Sequence, residues 1–259
     1  MLKLIHGEFY RLIRSGSFKI SLLLSVACGA LIALAYLAMG GMTKQEIFVV
    51  TFQDIQLPFI FAGIFCASFI GGEFSKGTIR RVVTAGYTRG EILFSKWVVA
   101  LLGSLLIRVI YPLISYFIYV LSGKADKASN SDNVADWVFG NFFRYFMKDG
   151  FLSIAIITLF IMFAFVCKKQ SLTTTFNMLF LIGTMLVALM VFNLKSLEFL
   201  RPIMKFFPTY FITNLNHSVK TVSDSVVPPT LVNVGLTALV FVAIGYCVSY
   251  FMFRKAEMK

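Results

Sequence analysis

Charged residues are scarce in this sequence. They make up 14% of its 259 residues, while hydrophobic residues make up 58%. A soluble domain usually has about 25% charged residues. The apolar residues come in long blocks instead of alternating with polar ones, and such blocks are typical of helices that cross a lipid bilayer. The composition therefore excludes an ordinary soluble protein.

Signatures of catalysis and metal binding are also absent. The sequence contains no G-x-x-x-x-G-K-[ST] loop for nucleotide phosphates, no H-E-x-x-H motif and no G-x-S-x-G motif. Its two histidines, His6 and His217, lie far apart, and its four cysteines fall inside apolar stretches without metal-ligand spacing. We therefore expect no enzyme activity, no cofactor and no metal site in this chain.

Six apolar stretches are long enough to cross about 30 Å of hydrocarbon, which takes roughly 20 helical residues. They cover residues 18–39, 55–72, 97–121, 150–167, 173–194 and 231–253. Only residues 168–170 separate the fourth stretch from the fifth, so these two form a tight helical hairpin. The sequence predicts an all-α membrane protein with six transmembrane helices in a single domain, residues 1–259.

The basic residues are divided unevenly between the two faces of the membrane. Fourteen of the 24 Lys and Arg residues fall on the face that carries both termini, nine fall on the other face, and Arg108 lies within a span. Because cytoplasmic loops are enriched in Lys and Arg, we expect both termini to be cytoplasmic. The net charge of +12 thus reflects membrane topology and does not indicate nucleic-acid binding.

Residues 2–14 have helical periodicity. On a helix, one face of this segment is apolar and consists of Leu2, Ile5, Phe9, Leu12 and Ile13. The cations on the opposite face are Lys3, Arg11 and Arg14. This pattern predicts an amphipathic helix in the headgroup plane, with its cations at the membrane surface beside anionic lipid. The alternative is a water-exposed start that only obeys the charge rule.

The loop between the second and third spans, residues 73–96, has the pattern of a cytoplasmic helix-turn-helix. Ile79, Val82 and Val83 are apolar at helical spacing. Further along, Thr88 and Glu91 have the spacing of a capping box, which starts a second helix. Such an element fits a groove in a cytoplasmic partner. The alternative is a basic loop that only fixes the topology.

The same loop resembles that of permease subunits from ABC exporters of peptides, antibiotics and polysaccharides, including the lantibiotic-immunity and phenol-soluble modulin exporters. In that family the loop reads Glu-x-x-x-Gly-Thr, then an apolar-basic stretch, then Arg-x-x-Ile-Leu-x-x-Lys. The matching positions are Glu73, Gly77, Thr78, Arg80, Arg89, Ile92, Leu93 and Lys96. The amphipathic start, the six spans and the polar outer segment before the last span also agree.

The resemblance implies that this loop is a coupling helix seated in a cleft of a separate ATPase. The residues expected to couple to the ATPase are Glu73, Phe74, Gly77, Thr78, Arg80, Arg81, Arg89 and Lys96. ATP and Mg²⁺ would be bound by that partner, in two copies, and a second permease copy or a paralogue would complete the pathway. The implied function is export of amphipathic or antimicrobial-type peptides, with a link to antibiotic resistance, from a bacterial plasma membrane.

Arg108 is the one charge deep within a predicted span. A buried cation in a membrane usually marks a cavity or pathway, and Pro112, one turn later, can bend the helix. No acid falls within the core of another predicted span, so we expect water, a partner chain or substrate to face Arg108. The alternative is a structural residue that bonds to carbonyl groups or extends to the membrane surface.

Pro208 and Tyr210 lie in the aromatic stretch Phe206–Phe211 of the second outer segment. This stretch is either an interfacial aromatic belt or a short helix that dips towards a pathway exit. For the whole chain, two other functions stay open: a membrane-embedded sensor or interaction protein, and a secondary transporter. Against the latter, we find no inverted repeat and no intramembrane acid for coupled ions.

Overall fold

The computed structural model describes residues 1–39, 56–122, 142–193 and 231–255, which are almost entirely helical. Helices suit this composition because an apolar chain in lipid must satisfy its backbone hydrogen bonds internally. The helices are α1 (Leu2–Arg14), α2 (Gly16–Met39), α3 (Gln56–Cys66), α4 (Gly72–Ser75), α5 (Thr78–Thr84), α6 (Arg89–Leu121), α7 (Phe142–Cys167), α8 (Gln170–Asn193) and α9 (Leu231–Arg254). A π-helical turn, Ala67–Gly71, joins α3 to α4.

The predicted all-helical architecture with six membrane-spanning helices is confirmed. Among the described residues, six helical segments are long and apolar enough to cross a bilayer, and each matches one predicted span: Gly16–Ala38, Leu57–Ser75, Arg89–Leu121, Phe146–Cys167, Gln170–Val187 and Leu231–Arg254. The third begins earlier than predicted, because the cap at Thr88 starts the helix before the apolar block does. The fourth also begins earlier, so that Asp149 lies inside α7.

The centre of the bundle is formed by α3, α6 and α7, whose residues are the most buried of the spans. On one side α2 packs against α6 and α3, and on the other α8 packs against α7 and α3. The last helix, α9, packs mainly along α7, while α1 lies against α6 and the start of α2. Apolar side chains on the outer surfaces of α2, α8 and α9 are exposed, as expected for helices in lipid.

A stripe of small residues on α2 brings its backbone close to α6. The stripe consists of Ser21, Ser25, Gly29 and Ala33, which are spaced four apart and buried. Ser25 donates a hydrogen bond to the Ile107 carbonyl at 2.8 Å, and Ser115 of α6 donates to the Gly29 carbonyl at 2.8 Å. Small residues at every fourth position permit this close helix packing within a membrane.

Substitution of Gly29 by alanine is expected to destabilise the protein by about 1–3 kcal/mol, because overpacking forces the backbone apart. A Cβ atom at this position would lie 2.8 Å from the backbone oxygen of Tyr111, which cannot turn away as a side chain does. Thermal unfolding in detergent measures the effect. Gly183→Ala is the matched control, since a Cβ there meets nothing within 4 Å. Equal stability of both variants would contradict the close approach of the α2 and α6 backbones.

The predicted hairpin between the fourth and fifth spans is present. Helix α7 ends at Cys167 and α8 begins at Gln170, and the turn between them places Lys168 in the left-handed region with φ 55°. The π-helical turn brings Gly71 against this hairpin, where a Cβ atom would lie 3.2 Å from the Cα atom of Gln170. The end of the second span therefore abuts the turn between the fourth and fifth.

Pro208 and Tyr210 lie outside the described residues, as does most of both outer segments. Their predicted place near a pathway stays a prediction. Pro112 lies inside α6, which continues as a helix from Arg89 to Leu121 on either side of it.

Candidate functional site

The loop from Glu73 to Lys96 forms the predicted helix-turn-helix. After α4, Gly77 takes the left-handed conformation with φ 65° and precedes the short helix α5, and Gly86 with φ 91° follows it. Glycine adopts these angles without the strain that a side chain would cause. The predicted capping box is also present: Thr88 accepts a hydrogen bond from the Glu91 backbone, and the Glu91 side chain accepts one from the Thr88 backbone at 3.0 Å.

Helix α5 has one face against its own protein and one face outward. Ile79 is buried, and Val82 and Val83 pack against the main hydrophobic cluster beneath it. Arg81 and Thr84 are exposed, as are the residues of the following turn. We call the surface of Arg81, Thr84, Ala85 and Gly86 the outer face. The helix is therefore held by apolar contacts while its other face is basic and polar.

A buried charge cluster joins α1, α4 and α6, and it consists of Glu8, Arg11, Glu73 and Lys96. The Lys96 ammonium lies 2.9 Å from a Glu8 carboxylate oxygen and also bonds to Glu73. Arg11 pairs with Glu8 at 3.3 Å and with Glu73. Lys96 is fully buried, and both carboxylates are nearly so. Two cations and two anions balance within the cluster, and buried charges are tolerated in that arrangement.

This geometry changes how three predicted site residues are understood. Glu73 and Lys96, expected to couple to an ATPase, face the interior of the chain and join α4 to α6. Any part that they take in coupling is thus indirect. Arg11, expected at the membrane surface, bonds to both carboxylates of the cluster. Sequence reasoning missed Glu8, although an acid four residues from both Leu4 and Leu12 was a signal that this face meets another helix.

Helix α1 consequently has three faces instead of the predicted two. Leu4, Glu8 and Leu12 form a buried face against the bundle. Leu2 and Ile13 are exposed apolar residues, which suits contact with lipid. Lys3 and Arg14 are exposed, and their predicted contact with the membrane surface stays a prediction. Leu12, predicted to face lipid, is instead packed inside the protein.

Arg89 begins α6 and also binds the end of the last helix. Its guanidinium donates to the Phe253 carbonyl at 3.4 Å and to the Arg254 carbonyl. The last carbonyl groups of a helix lack intrahelical partners and attract cations. Arg89 therefore connects the 73–96 loop to the C-terminal end of α9. Arg80 lies within α5.

An open groove of about 1,080 Å³ lies between the end of the second span and the turn from α7 to α8. Phe74 and Ser75 line one side, and Lys168 and Lys169 line the other. The Phe74 ring is fixed by edge-to-face contacts with Phe165 and with the ring of the α9 residue Phe253 at 5.8 and 6.0 Å. The groove thus lies among the end of α4, the end of α7 and the start of α8.

Arg108 has an acidic partner in a neighbouring helix, so the expectation that no span supplies one is wrong. Its guanidinium forms an ion pair with Asp149 and a hydrogen bond with Ser153, both in α7. It also lies 5.0 Å from the centre of the Phe59 ring. The predicted fourth span began at residue 150 and so left Asp149 just outside. The buried pair joins α6 to α7, and a pathway role for Arg108 stays a prediction.

Comparison with known proteins identifies the family of the chain. No curated protein is similar enough to the chain to count as a match. Residues 4–185, which make up well over half of the chain, match the family described as ABC-2 family transporter protein. The match covers most of α1, the first four spans with the 73–96 loop, and the larger part of the fifth span. The chain belongs to the ABC-2 family of transporter proteins and is a multi-pass transmembrane subunit of an ABC transporter.

Proposed function

We propose that this subunit belongs to an ATP-driven exporter and receives the motion of a separate ATPase through residues 73–96. The sequence lacks a phosphate-binding G-x-x-x-x-G-K-[ST] loop. ATP and Mg²⁺ therefore belong to the partner, which this family typically requires. Both termini and the loop lie on the cytoplasmic side in this arrangement, as the charge distribution predicts.

The two-sided geometry of α5 carries the proposal. A loop that only fixed topology would need its basic charge but no apolar face. In this protein Ile79 is buried and two valines pack beneath the helix, so α5 keeps a fixed position. Its outer face, with Arg81 at the centre, is left available to a partner. The groove between Phe74 and the Lys168–Lys169 turn adds a second surface, at the hairpin of α7 and α8.

The contacts of the residues that flank α5 explain how a displacement of this helix reaches the membrane helices. Glu73 precedes α5 by a few residues and bonds to Lys96 in α6 and to Arg11 in α1. After α5, Arg89 bonds to the end of α9. A displacement of α5 therefore moves the ends of several helices together, as in hinge and rigid-body transitions. Glu73, Arg89 and Lys96 have the role of positioning residues in this proposal.

A second permease copy or a close paralogue completes the pathway in this proposal. Of the six spans, α3, α6 and α7 form the centre of the bundle. The apolar outer surface therefore lies on α2, α8 and α9, where Leu23, Leu179 and Leu236 are strongly exposed. Two such subunits over two ATPases form a seam with apolar walls. An amphipathic or antimicrobial-type peptide matches those walls better than a sugar or an ion does.

Reversal of the charge at Arg81 tests the coupling surface. Arg81→Glu is expected to weaken binding of the cognate ATPase roughly tenfold, since a reversed charge on the binding surface loses its attraction and adds repulsion. Binding is measured with the purified full-length permease. ATP-dependent uptake of a labelled amphipathic peptide into vesicles containing the complex is the second measurement, and we expect it to fall in parallel.

Lys255→Glu is the matched control, because it makes the same charge change at an exposed residue at the end of α9. We expect that variant to bind and transport like the original protein. Intact binding and transport in Arg81→Glu would contradict coupling through α5. A separate outcome concerns the substrate class alone. If the original protein binds the ATPase and transports a scrambled, non-amphipathic peptide but not the amphipathic one, the proposed substrate class is wrong.

A further inference from the structure

A cleft of about 730 Å³ lies at the cytoplasmic end of the bundle, between the bend from α1 to α2 and the end of the second span. It is separate from the outer face of α5 and opens beside α2. Its polar lining consists of Arg11, Arg14, Ser15, Ser17, Ser21, Ser68, Glu73, Lys76, Thr78 and Gln170. The cleft therefore combines cations, hydroxyl groups and an amide at the level where headgroups meet a membrane protein.

The cleft has a positive charge. Arg14 and Lys76 are exposed on its walls, and among the described residues neither forms an ion pair. The Arg14 guanidinium lies 4.5 Å from the centre of the Tyr10 ring, which orients it. The one acid in the lining, Glu73, is bonded to Lys96 and Arg11 within the buried charge cluster. Its charge is thus balanced, and two cations face the opening.

Hydroxyl groups line the same cleft as these cations. The Ser15 and Ser17 hydroxyls lie 2.8 Å apart, and Ser15 also accepts the Phe18 backbone N–H at the start of α2. On the opposite wall, Gln170 donates to the Ser68 hydroxyl at 2.9 Å. Cations and hydroxyl donors grouped in this way suit the oxygens of a phosphate ester.

The lower wall of the cleft is apolar and continues down α2. Ile20 is 61% exposed and Leu24 is 39% exposed, and both line the cleft. Leu31, 63% exposed, continues the same helix towards the middle of the membrane. A free phosphate ion has no apolar part that could pack against this wall. A molecule with a phosphate at one end and a hydrocarbon chain at the other matches both parts.

We propose that this cleft binds one anionic phospholipid of the cytoplasmic leaflet. Arg14 and Lys76 contact its phosphate, and its acyl chain lies along Ile20 and Leu24. This site is distinct from a general attraction of α1 to charged lipid, because it depends on two cations from different segments. It does not depend on the ATPase, so its failure and that of the proposed function are distinguishable.

Native mass spectrometry of the full-length chain in detergent tests the site, with phosphatidylglycerol as the probe and phosphatidylcholine as the neutral comparison. We expect one phosphatidylglycerol to bind in preference to phosphatidylcholine. The double variant Arg14→Gln and Lys76→Gln is expected to weaken this binding roughly thirtyfold, since two cations near an anionic headgroup are lost. Inorganic phosphate at millimolar concentration is expected to displace little of the lipid.

The matched control is Lys3→Gln with Lys255→Gln, which removes the same charge from exposed positions outside the cleft. Equal loss of lipid in both double variants would overturn the site in favour of general electrostatic attraction. Ile20→Asn with Leu24→Asn is expected to lose the lipid while the thermal unfolding midpoint stays close to the original. Retained lipid in the Arg14 and Lys76 variant, or displacement by inorganic phosphate, would also overturn the proposal.

Discussion

Replacement of Lys96 by methionine is expected to destabilise the protein by about 3–5 kcal/mol, the usual effect of breaking a buried ion pair from one side. Lys96 is fully buried between the carboxylates of Glu8 and Glu73. Without its ammonium, the two carboxylates repel each other, and Arg11 alone is left to balance them. Methionine has a similar length, so the packing of the side chain stem changes little.

Thermal unfolding of the detergent-purified protein measures this effect, and retention of a monodisperse species in gel filtration gives a second measurement. The triple variant Glu8→Gln, Glu73→Gln and Lys96→Met is expected to recover a large part of the loss, because the charge that is then left in the cluster is Arg11, whose side chain is 38% exposed to water. Lys255→Met, at an exposed position, is the control and is expected to have little effect. A triple variant no more stable than Lys96→Met would contradict the charge balance.

Replacement of Asp149 by leucine is also expected to destabilise the protein by about 3–5 kcal/mol, because it leaves the Arg108 guanidinium buried without an anion. Both residues are more than nine-tenths buried, and they join α6 to α7 within the apolar part of the bundle. The bond from Arg108 to Ser153 and the contact with the Phe59 ring offset only part of this loss.

A double-mutant cycle separates the pair from its surroundings. Arg108→Met combined with Asp149→Leu is expected to be clearly more stable than Asp149→Leu alone, with a coupling of about 1–3 kcal/mol in thermal or denaturant unfolding. If the effects of the two substitutions on the free energy of unfolding are additive, the ion pair is not the reason for the loss of stability. Should ATP-dependent transport in the double variant match that of the original protein, the predicted pathway role of Arg108 is wrong.

The parts of this fold that depend on neighbouring residues were predictable. The six spans follow from apolar blocks of sufficient length, and the capping box at Thr88 and Glu91 follows from a three-residue spacing. The hairpin at residues 168–170 also follows, because too few residues remain there for any other connection. Each of these features is determined by residues within one continuous stretch of the chain.

The partners of the charged residues were not predictable in the same way. Glu8 and Lys96 are separated by 88 residues in the chain yet share a hydrogen bond. Arg108 and Asp149 meet because α6 packs on α7, and the apolar block alone gave the wrong start for that span. Local patterns report the direction of a side chain on its own helix, but they carry no information about which helix lies opposite.

The amino-acid sequence by itself determined that this chain is a six-span helical membrane protein with a structured basic loop after the second span. Long apolar blocks are stable only as helices in lipid, and a helix cap is a local hydrogen-bond pattern. Only the tertiary structure decided that Glu73 and Lys96 belong to a buried charge cluster while Arg81 faces outward. The physical reason is burial: the loop residues have similar polarity, and the packing of α1 and α6 beneath them determines which ones lose contact with water.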